Sequence, residues 1–175
     1  MKKKETILKG IPASPGIVSG KAFLYGREQY TIARRLVKEE QIPNEIKRFK
    51  EALAQTKNEI LDIKKRISEE MSAKHAQIFS AHLLVIDDSM LIDEVVSKLK
   101  KDKLSIEYIF QDVLRRYIKV FSEMDDEYLK ERISDINDVG RRILRNLIGP
   151  KEDVLGGRKE KVIVIAYDLS PSDTA

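Results

Sequence analysis

The chain has 175 residues, the size of one domain or one domain plus a smaller piece. It carries 33 Lys+Arg against 29 Asp+Glu, and the small net charge of +4 is spread among interspersed acids, which argues against a dedicated nucleic-acid protein. With no Cys there is no disulfide framework, thiolate metal site or Cys nucleophile, and with two His any imidazole chemistry falls to His75 or His82.

Met1 to Lys4 is basic, but Glu5 to Gly10 supplies no apolar stretch for a secretory leader, and no run approaches a membrane span. The chain therefore reads as cytoplasmic. Between Ile7 and Lys21 the density of Gly10, Pro12, Pro15, Gly16 and Gly20 marks turns joining short extended pieces. Ile17-Val18 and Ala22 to Tyr25 read as strand, and Tyr30 to Ile32 as a further short one.

At Pro43 the period changes. Ile46, Phe49, Leu53, Thr56, Ile60, Ile63 and Ile67 fall at alternating spacings of three and four, which predicts a helix over about 43–70. Pro43 suits its first turn. Ser72 is placed to cap a second helix carrying Ile78, Phe79, His82, Leu83, Val85 and Ile86, which Asp87-Asp88-Ser89 interrupts. A continuation uses Leu91, Ile92, Val95, Val96 and Leu99 and ends among Lys98, Lys100 and Lys101, where a helix C-terminus favours positive charge. A third pattern runs through Ile106, Ile109, Phe110, Val113, Tyr117, Val120 and Met124. The last uses Tyr128, Leu129, Ile133, Ile136, Val139, Ile143, Leu144 and Leu147, and stops at Gly149-Pro150.

Lys161 to Tyr167 reads as a strand buried on both faces, and Ser170-Pro171-Ser172-Asp173 as the opening of a helix. A buried strand needs sheet partners, and the remaining strand-like material lies before residue 33. The expected fold is thus mostly α with a partial α/β unit, the two ends pairing around an inserted antiparallel helical bundle. The divisions fall at 1–33, 34–149 and 150–175. A helix opened at Ser170 so close to Ala175 reads as a truncated domain.

Chemistry-bearing patterns are sparse. Gly16 to Ala22 lacks the spacing of a phosphate-binding loop and the hydroxyl after its Lys, and reads as a turn. No helix carries a His-x-x-x-His or Glu-x-x-His metal pattern. Asp125-Asp126-Glu127 could hold a divalent cation, but is better read as an interhelix turn with helix-start acids. Arg141-Arg142 with Arg145 reads as a solvated face. His82 among Phe79, Leu83 and Val85 is a core or interface residue.

Four stretches resemble Enzyme I of the bacterial phosphoenolpyruvate:sugar phosphotransferase system: Gly10 to Ile17, Ile78 to Asp88, Asp125 to Arg132 running on to Asp138–Arg142, and Asp168 to Ala175. They span the chain in the family's order. The resemblance implies a discontinuous phosphohistidine swivel domain with an inserted helical domain that docks the phosphocarrier HPr, the same division that the residues themselves suggest. It implies transfer of a phosphoryl group from phosphoenolpyruvate through a phosphohistidine to HPr during sugar uptake. The active histidine is expected beyond Ala175, in a Gly-Gly-x-x-Ser/Thr-His motif, so this fragment alone should be inactive. Thr174 matches the threonine that supports the active imidazole. The barrel that binds phosphoenolpyruvate and Mg²⁺ and makes the homodimer also lies beyond, leaving a monomeric fragment without nucleic-acid or membrane partners.

The resemblance places the HPr interface on His82, Leu84, Val85, Asp88, Leu91, Phe121, Leu129, Lys130 and Arg132. Where relatives carry acids before this stretch, the chain has Ala73, Lys74, His75, Gln77 and Ser80, so steering toward a basic HPr surface is expected to be weaker there. The alternatives are a nitrogen-related paralogue, another phosphohistidine-swivel enzyme, or a non-enzymatic helical adaptor.

Overall fold

The computed structural model describes residues 7–25, 32–70, 76–149, 161–166 and 169, with the side chains of 127–131 left aside. Among the described residues two short strands, β1 (Ala22–Tyr25) and β2 (Ile163–Ala166), flank five helices: α1 (Ile42–Glu70), α2 (Ile78–Ile86), α3 (Ser89–Asp102), α4 (Ile106–Glu123) and α5 (Glu127–Ile148).

The heptad seam of α1 is buried as its spacing predicts: Phe49, Leu53, Thr56 and Ile60 lie in the core, while Ile46, Ile63 and Ile67 pack against its edge. Thr56 is the one hydroxyl in that apolar stripe. It is satisfied twice, donating to the Ala52 carbonyl at 2.8 Å and accepting from Asn146 Nδ2 on α5 at 2.9 Å. A buried hydroxyl without such partners would cost about 1–3 kcal/mol.

Polar contacts between helices repeat at helical spacing and so set each pair's direction. Lys57–Asp87 and Lys64–Ser80 run in opposite senses along α1 and α2. Glu94–Arg116 and Lys98–Asp112 do the same for α3 and α4, while α4 and α5 meet where Leu114 packs on Gly140. Asn146 with Thr56, and Arg142 and Arg145 with Glu59, make α5 antiparallel to α1. The arginines expected on a solvated face therefore include two that bind α1.

The caps follow the sequence. Asp88 accepts from the Met90 and Leu91 amides at 2.9 and 3.2 Å, starting α3 where Asp87-Asp88-Ser89 predicts the break. Lys103 ends α3 with φ of 50°. Its carbonyl accepts from Val37 and the Arg35 carbonyl accepts from Ser105, tying residues 35–37 to the α3–α4 turn. Buried Glu45 reaches across from α1 to accept the Ile106 amide at 3.0 Å and the Arg48 guanidinium at 2.8 Å. Arg48 in turn binds Glu107 and the Leu147 carbonyl, closing one end of α1, α4 and α5. Gly149, with φ of 98°, terminates α5 at the predicted place.

The two ends of the chain do pair. β1 and β2 are parallel, in the register Ala22↔Ile163 to Tyr25↔Ala166, so the whole bundle lies in the connection between them. Two expectations fail here. β2 is not buried on both faces, since Val164 and Ile165 are 39% and 38% exposed and its one described strand partner is β1. Ile17 and Val18 form no strand and stand exposed, because among the described residues no neighbouring strand pairs with them. Of the Tyr30–Ile32 strand only Ile32 is described, and it is coil. Ser72, His75 and the 170–175 helix opening lie outside the described residues.

Gly140 is where α4 and α5 approach closest. A Cβ built there falls 2.3 Å from Leu114 Cδ2, and Leu114 is buried. Gly140→Ala should lower stability in chemical denaturation by about 1–2 kcal/mol, because overpacking outweighs the better helix propensity of Ala. In a Leu114→Ala background the same change should be neutral or stabilising. A Gly140→Ala variant as stable as the parent would mean Leu114 swings aside at no cost.

Candidate docking face and a buried histidine

α2 has nine residues, too few to persist alone, so its position is set by what it buries. Phe79, His82 and Ile86 point inward, and Leu84 is left 75% exposed on the opposite side. Just past the Asp88 cap Met90 is also 75% exposed. The ion pairs Lys98–Asp112 and Glu94–Arg116 set the α3–α4 register, and continuing it brings Met90 level with Val120, which is 51% exposed. Asp88 lies near enough to Tyr117 to help raise its phenol, after the larger effect of burial, which ties the α2–α3 junction to the second half of α4. Leu84, Met90, Val120 and Met124 thus leave exposed apolar surface on α2 and on the neighbouring ends of α3 and α4.

Not every residue expected at the partner interface is on that surface. Leu84 is exposed, and Val85, Asp88, Phe121 and Arg132 are half-buried. Leu91 and His82 differ from that expectation in being buried, Leu91 in the first turn of α3 packed on the core and His82 without any exposed surface, so in this conformation neither side chain is presented at the surface. The side chains of Leu129 and Lys130 lie outside the described residues, as does Thr174. Met90, Val120, Met124 and Ile78 were missed as surface residues, because the last three satisfy the apolar periodicity of their helices. Their signal was position, at a helix's first or last turn, where fewer neighbouring helices remain to cover them.

His82 has the most constrained chemistry in the bundle. Its Nε2 sits 3.5 Å from Asp138 Oδ2 and 3.6 Å from Asp135 Oδ1, two carboxylates one turn apart on α5. The ring lies 5.4 Å from that of Phe79, and among the described residues neither ring nitrogen has a hydrogen-bond partner. Asp135 is held by Arg132 at 3.2 Å, and Arg141 lies 4.0 Å from Asp138. Burial pushes the imidazole below its usual range, with Asp138 and Asp135 pulling it up less strongly and Arg142 and Arg132 adding to the depression. The ring is therefore neutral at pH 7, and its burial denies it a phosphoryl donor. Among the described residues no group of three or more His, Cys, Asp or Glu could hold a metal ion, and no helix is long and apolar enough to cross a membrane. Gly16, with φ of 120°, sits in an exposed bend, as the turn reading of that segment requires.

Residues 9–132 match the family described as PEP-utilising enzyme, N-terminal. The chain belongs to that family. It is 38% identical over 168 residues to the phosphoenolpyruvate-protein phosphotransferase of Bacillus subtilis (strain 168), covering 96% of this chain and 29% of that protein. The enzyme of the same name from Haemophilus influenzae is 34% identical, with 97% and 29% covered. The chain thus spans under a third of the length of these relatives. A solution NMR structure of Enzyme I superposes with a TM-score of 0.79 at 42% identity, covering 96% of this chain and 68% of that one. The N-terminal domain of Enzyme 1 - Nitrogen shares the fold, with a TM-score of 0.67 at 23% identity over 89% of this chain and 62% of that one. The mostly helical fold with a small parallel sheet is that of the N-terminal part of Enzyme I.

The depressed imidazole has a stability consequence. The unfolded chain binds a proton to His82 near pH 6.5, whereas the folded chain does so only at lower pH. The stability this represents is complete above that value and is lost as pH falls toward the folded pKa, at up to about 1.4 kcal/mol per pH unit. Urea denaturation of the parent between pH 6.5 and 5.5 should show stability falling with pH within that ceiling, and His82→Leu should flatten the fall. An equal slope in both proteins would assign the acid sensitivity to other groups.

Proposed function

We propose that the chain is the N-terminal part of a phosphotransferase that moves a phosphoryl group from phosphoenolpyruvate, through a phosphohistidine, to an HPr-type phosphocarrier, and that α2 to α5 supply the docking face for the carrier. The family match and the naming of the relatives support the reaction. The exposed apolar residues on α2, α3 and α4 support the docking role, and they are the observation that carries it. Residues 34–149 form the docking unit in this reading. Residues 1–33 and 150–175 belong to the phosphohistidine domain, where Thr174 supports the reacting imidazole. Neutral imidazole nitrogen attacks the phosphorus of phosphoenolpyruvate as the P–O bond to the enol oxygen breaks and pyruvate enolate leaves, and the N–P bond of the phosphohistidine is then broken as a histidine nitrogen of the carrier takes the phosphoryl group. Phosphoenolpyruvate and Mg²⁺ are handled by the part of the homodimeric whole protein that corresponds to the rest of the relatives, in the cytoplasm.

A carrier must bind and leave in every cycle. A few exposed apolar side chains with flanking charges suit that requirement better than a broad dry interface. Asp87 is already bound by Lys57, and Lys119 lies 3.8 Å from Glu123, so the charges on this face are partly neutralised within the chain. Long-range steering is correspondingly modest.

Titrating the isotope-labelled chain with HPr should perturb amides in 78–91 and 121–132. Leu84→Asp, at a site too exposed to disturb the core, should weaken binding at least about tenfold while leaving the unfolding midpoint unchanged. Shifts confined to the Arg141–Arg145 stretch would point to a different partner, and no shift at all would leave a non-enzymatic adaptor as the better reading. Tighter binding to a nitrogen-branch carrier than to HPr would select the paralogue.

A further inference from the structure

α2 contains a single ionisable side chain, His82, and that side chain is fully buried. It is held on the side opposite the exposed Leu84, by the element that packs beneath it. The geometry around the ring is unusual for a structural histidine. A neutral imidazole in a core ordinarily donates from one nitrogen and accepts at the other. Here Nε2 faces two carboxylate oxygens at 3.5 and 3.6 Å, just outside bonding distance, and Nδ1 has no partner among the described residues.

The charged groups facing this site come from both neighbouring helices. From α5 Asp135 and Asp138 favour a positive ring, and Arg132 and Arg142 oppose it. From α1 Lys57 and Lys64 reach toward α2, but they are engaged by Asp87 and Ser80 at its two ends. Among the described residues nothing offers Nδ1 an acceptor. A proton added to the ring can satisfy Nε2–H with a carboxylate, but it also leaves a buried Nδ1–H, on a ring packed against Phe79, with no acceptor among the described residues. The protonated ring is therefore accommodated only if α2 shifts to bring Nδ1 to water.

We propose that His82 is a positioning residue for the docking face: as a neutral ring it seats α2 on α5, and its protonation unseats α2 and weakens carrier binding. The proposal rests on the docking role assigned to α2. It makes that face responsive to acidification through a residue that touches no partner. The device is local, because the caps and ion pairs that hold α3 to α4 do not involve the ring.

Two measurements test it on the intact 175-residue chain. The first uses the chain alone: the His82 ring nitrogens and the amides of 78–86 are followed by NMR from pH 7.5 to 5. They should shift together, with a common midpoint below the ordinary value of 6.5. A ring that titrates at or above that value, or α2 amides indifferent to it, overturns the proposal. The second measures HPr affinity at pH 7.5 and 5.5, which should fall at least about fivefold in the parent, within the tenfold per pH unit that one proton allows. His82→Gln keeps a donor near Nε2 and does not titrate, so its affinity should change less than about twofold between the two pH values, whereas His75→Gln, which keeps His82, should retain the parent's fall. A His82→Gln variant with the parent's full pH dependence sinks the proposal. Absence of binding by the parent at pH 7.5 refutes the docking role instead, and the first measurement then still decides whether His82 seats α2.

Discussion

One stripe of α1 is the surface on which the rest of the bundle depends. Phe49, Ala52, Leu53, Thr56 and Ile60 are buried along it, with α5 and α2 packed against it. Phe49 reaches α4 by ring contact with Phe110 at 5.6 Å. A buried aromatic of this kind contributes about 3–5 kcal/mol against truncation, and the neighbouring aliphatics add comparable amounts. Burial alone, however, would leave the helices free to slide. Their register comes from the polar side chains spaced one or two turns apart at the edges of that stripe: Lys57 and Lys64 toward α2, Glu59 and Thr56 toward α5, Glu45 and Arg48 toward α4. The exposed pair Lys57–Asp87 is worth little individually, whereas leaving buried Thr56 or Glu45 without partners would cost more. Their effect is on which of several similar packings is chosen.

The exposed apolar surface of α2, α3 and α4 follows from the same arrangement. α1 has room for α2 and α5 along its apolar stripe, and α2 is short because Asp88 accepts two amides and restarts the chain as α3. The break leaves a helix end on each side of it. Met90, in the first turn of α3, is uncovered at that junction, beside Leu84 on the outward face of α2. A surface made from helix ends costs less stability than one made by exposing the middle of a core, because the inward residues Phe79 and Ile86 still find partners.

Much of this was legible in the residue order, and what was not has physical causes. The alternation of three and four from Ile46 to Ile67 sets the helix of 43–70, since the period repeats long enough to outweigh any single residue. Asp87-Asp88-Ser89 and Gly149 carry their own local chemistry and mark their boundaries without tertiary help. Ile78, Val120 and Met124 fit their helices' apolar period, yet they are exposed, because periodicity reports which side faces inward and not whether anything lies there. The apolar run of β2 reads as two-sided burial, yet Val164 and Ile165 stay partly exposed, because sheet burial is decided by layers contributed elsewhere. Glu45 was invisible for the opposite reason. Its role as acceptor for the Ile106 amide joins positions 61 residues apart, and no local pattern encodes that.

His82 lies between these extremes. Its apolar neighbours in sequence correctly suggest a core position, while the resemblance to Enzyme I suggests an interface, and the structure separates the two statements. The residue lies in the core, and the helix that carries it supplies the surface. Its two carboxylate neighbours, Asp135 and Asp138, lie over fifty positions away, inside the stretch Asp125–Arg142 that was singled out for its likeness to the family. A segment that resembles the family can thus bear on the proposed docking from beneath, by setting how a short helix sits. For α2 that indirect route matters most, because nine residues have no stable conformation of their own and take their orientation entirely from what lies under them.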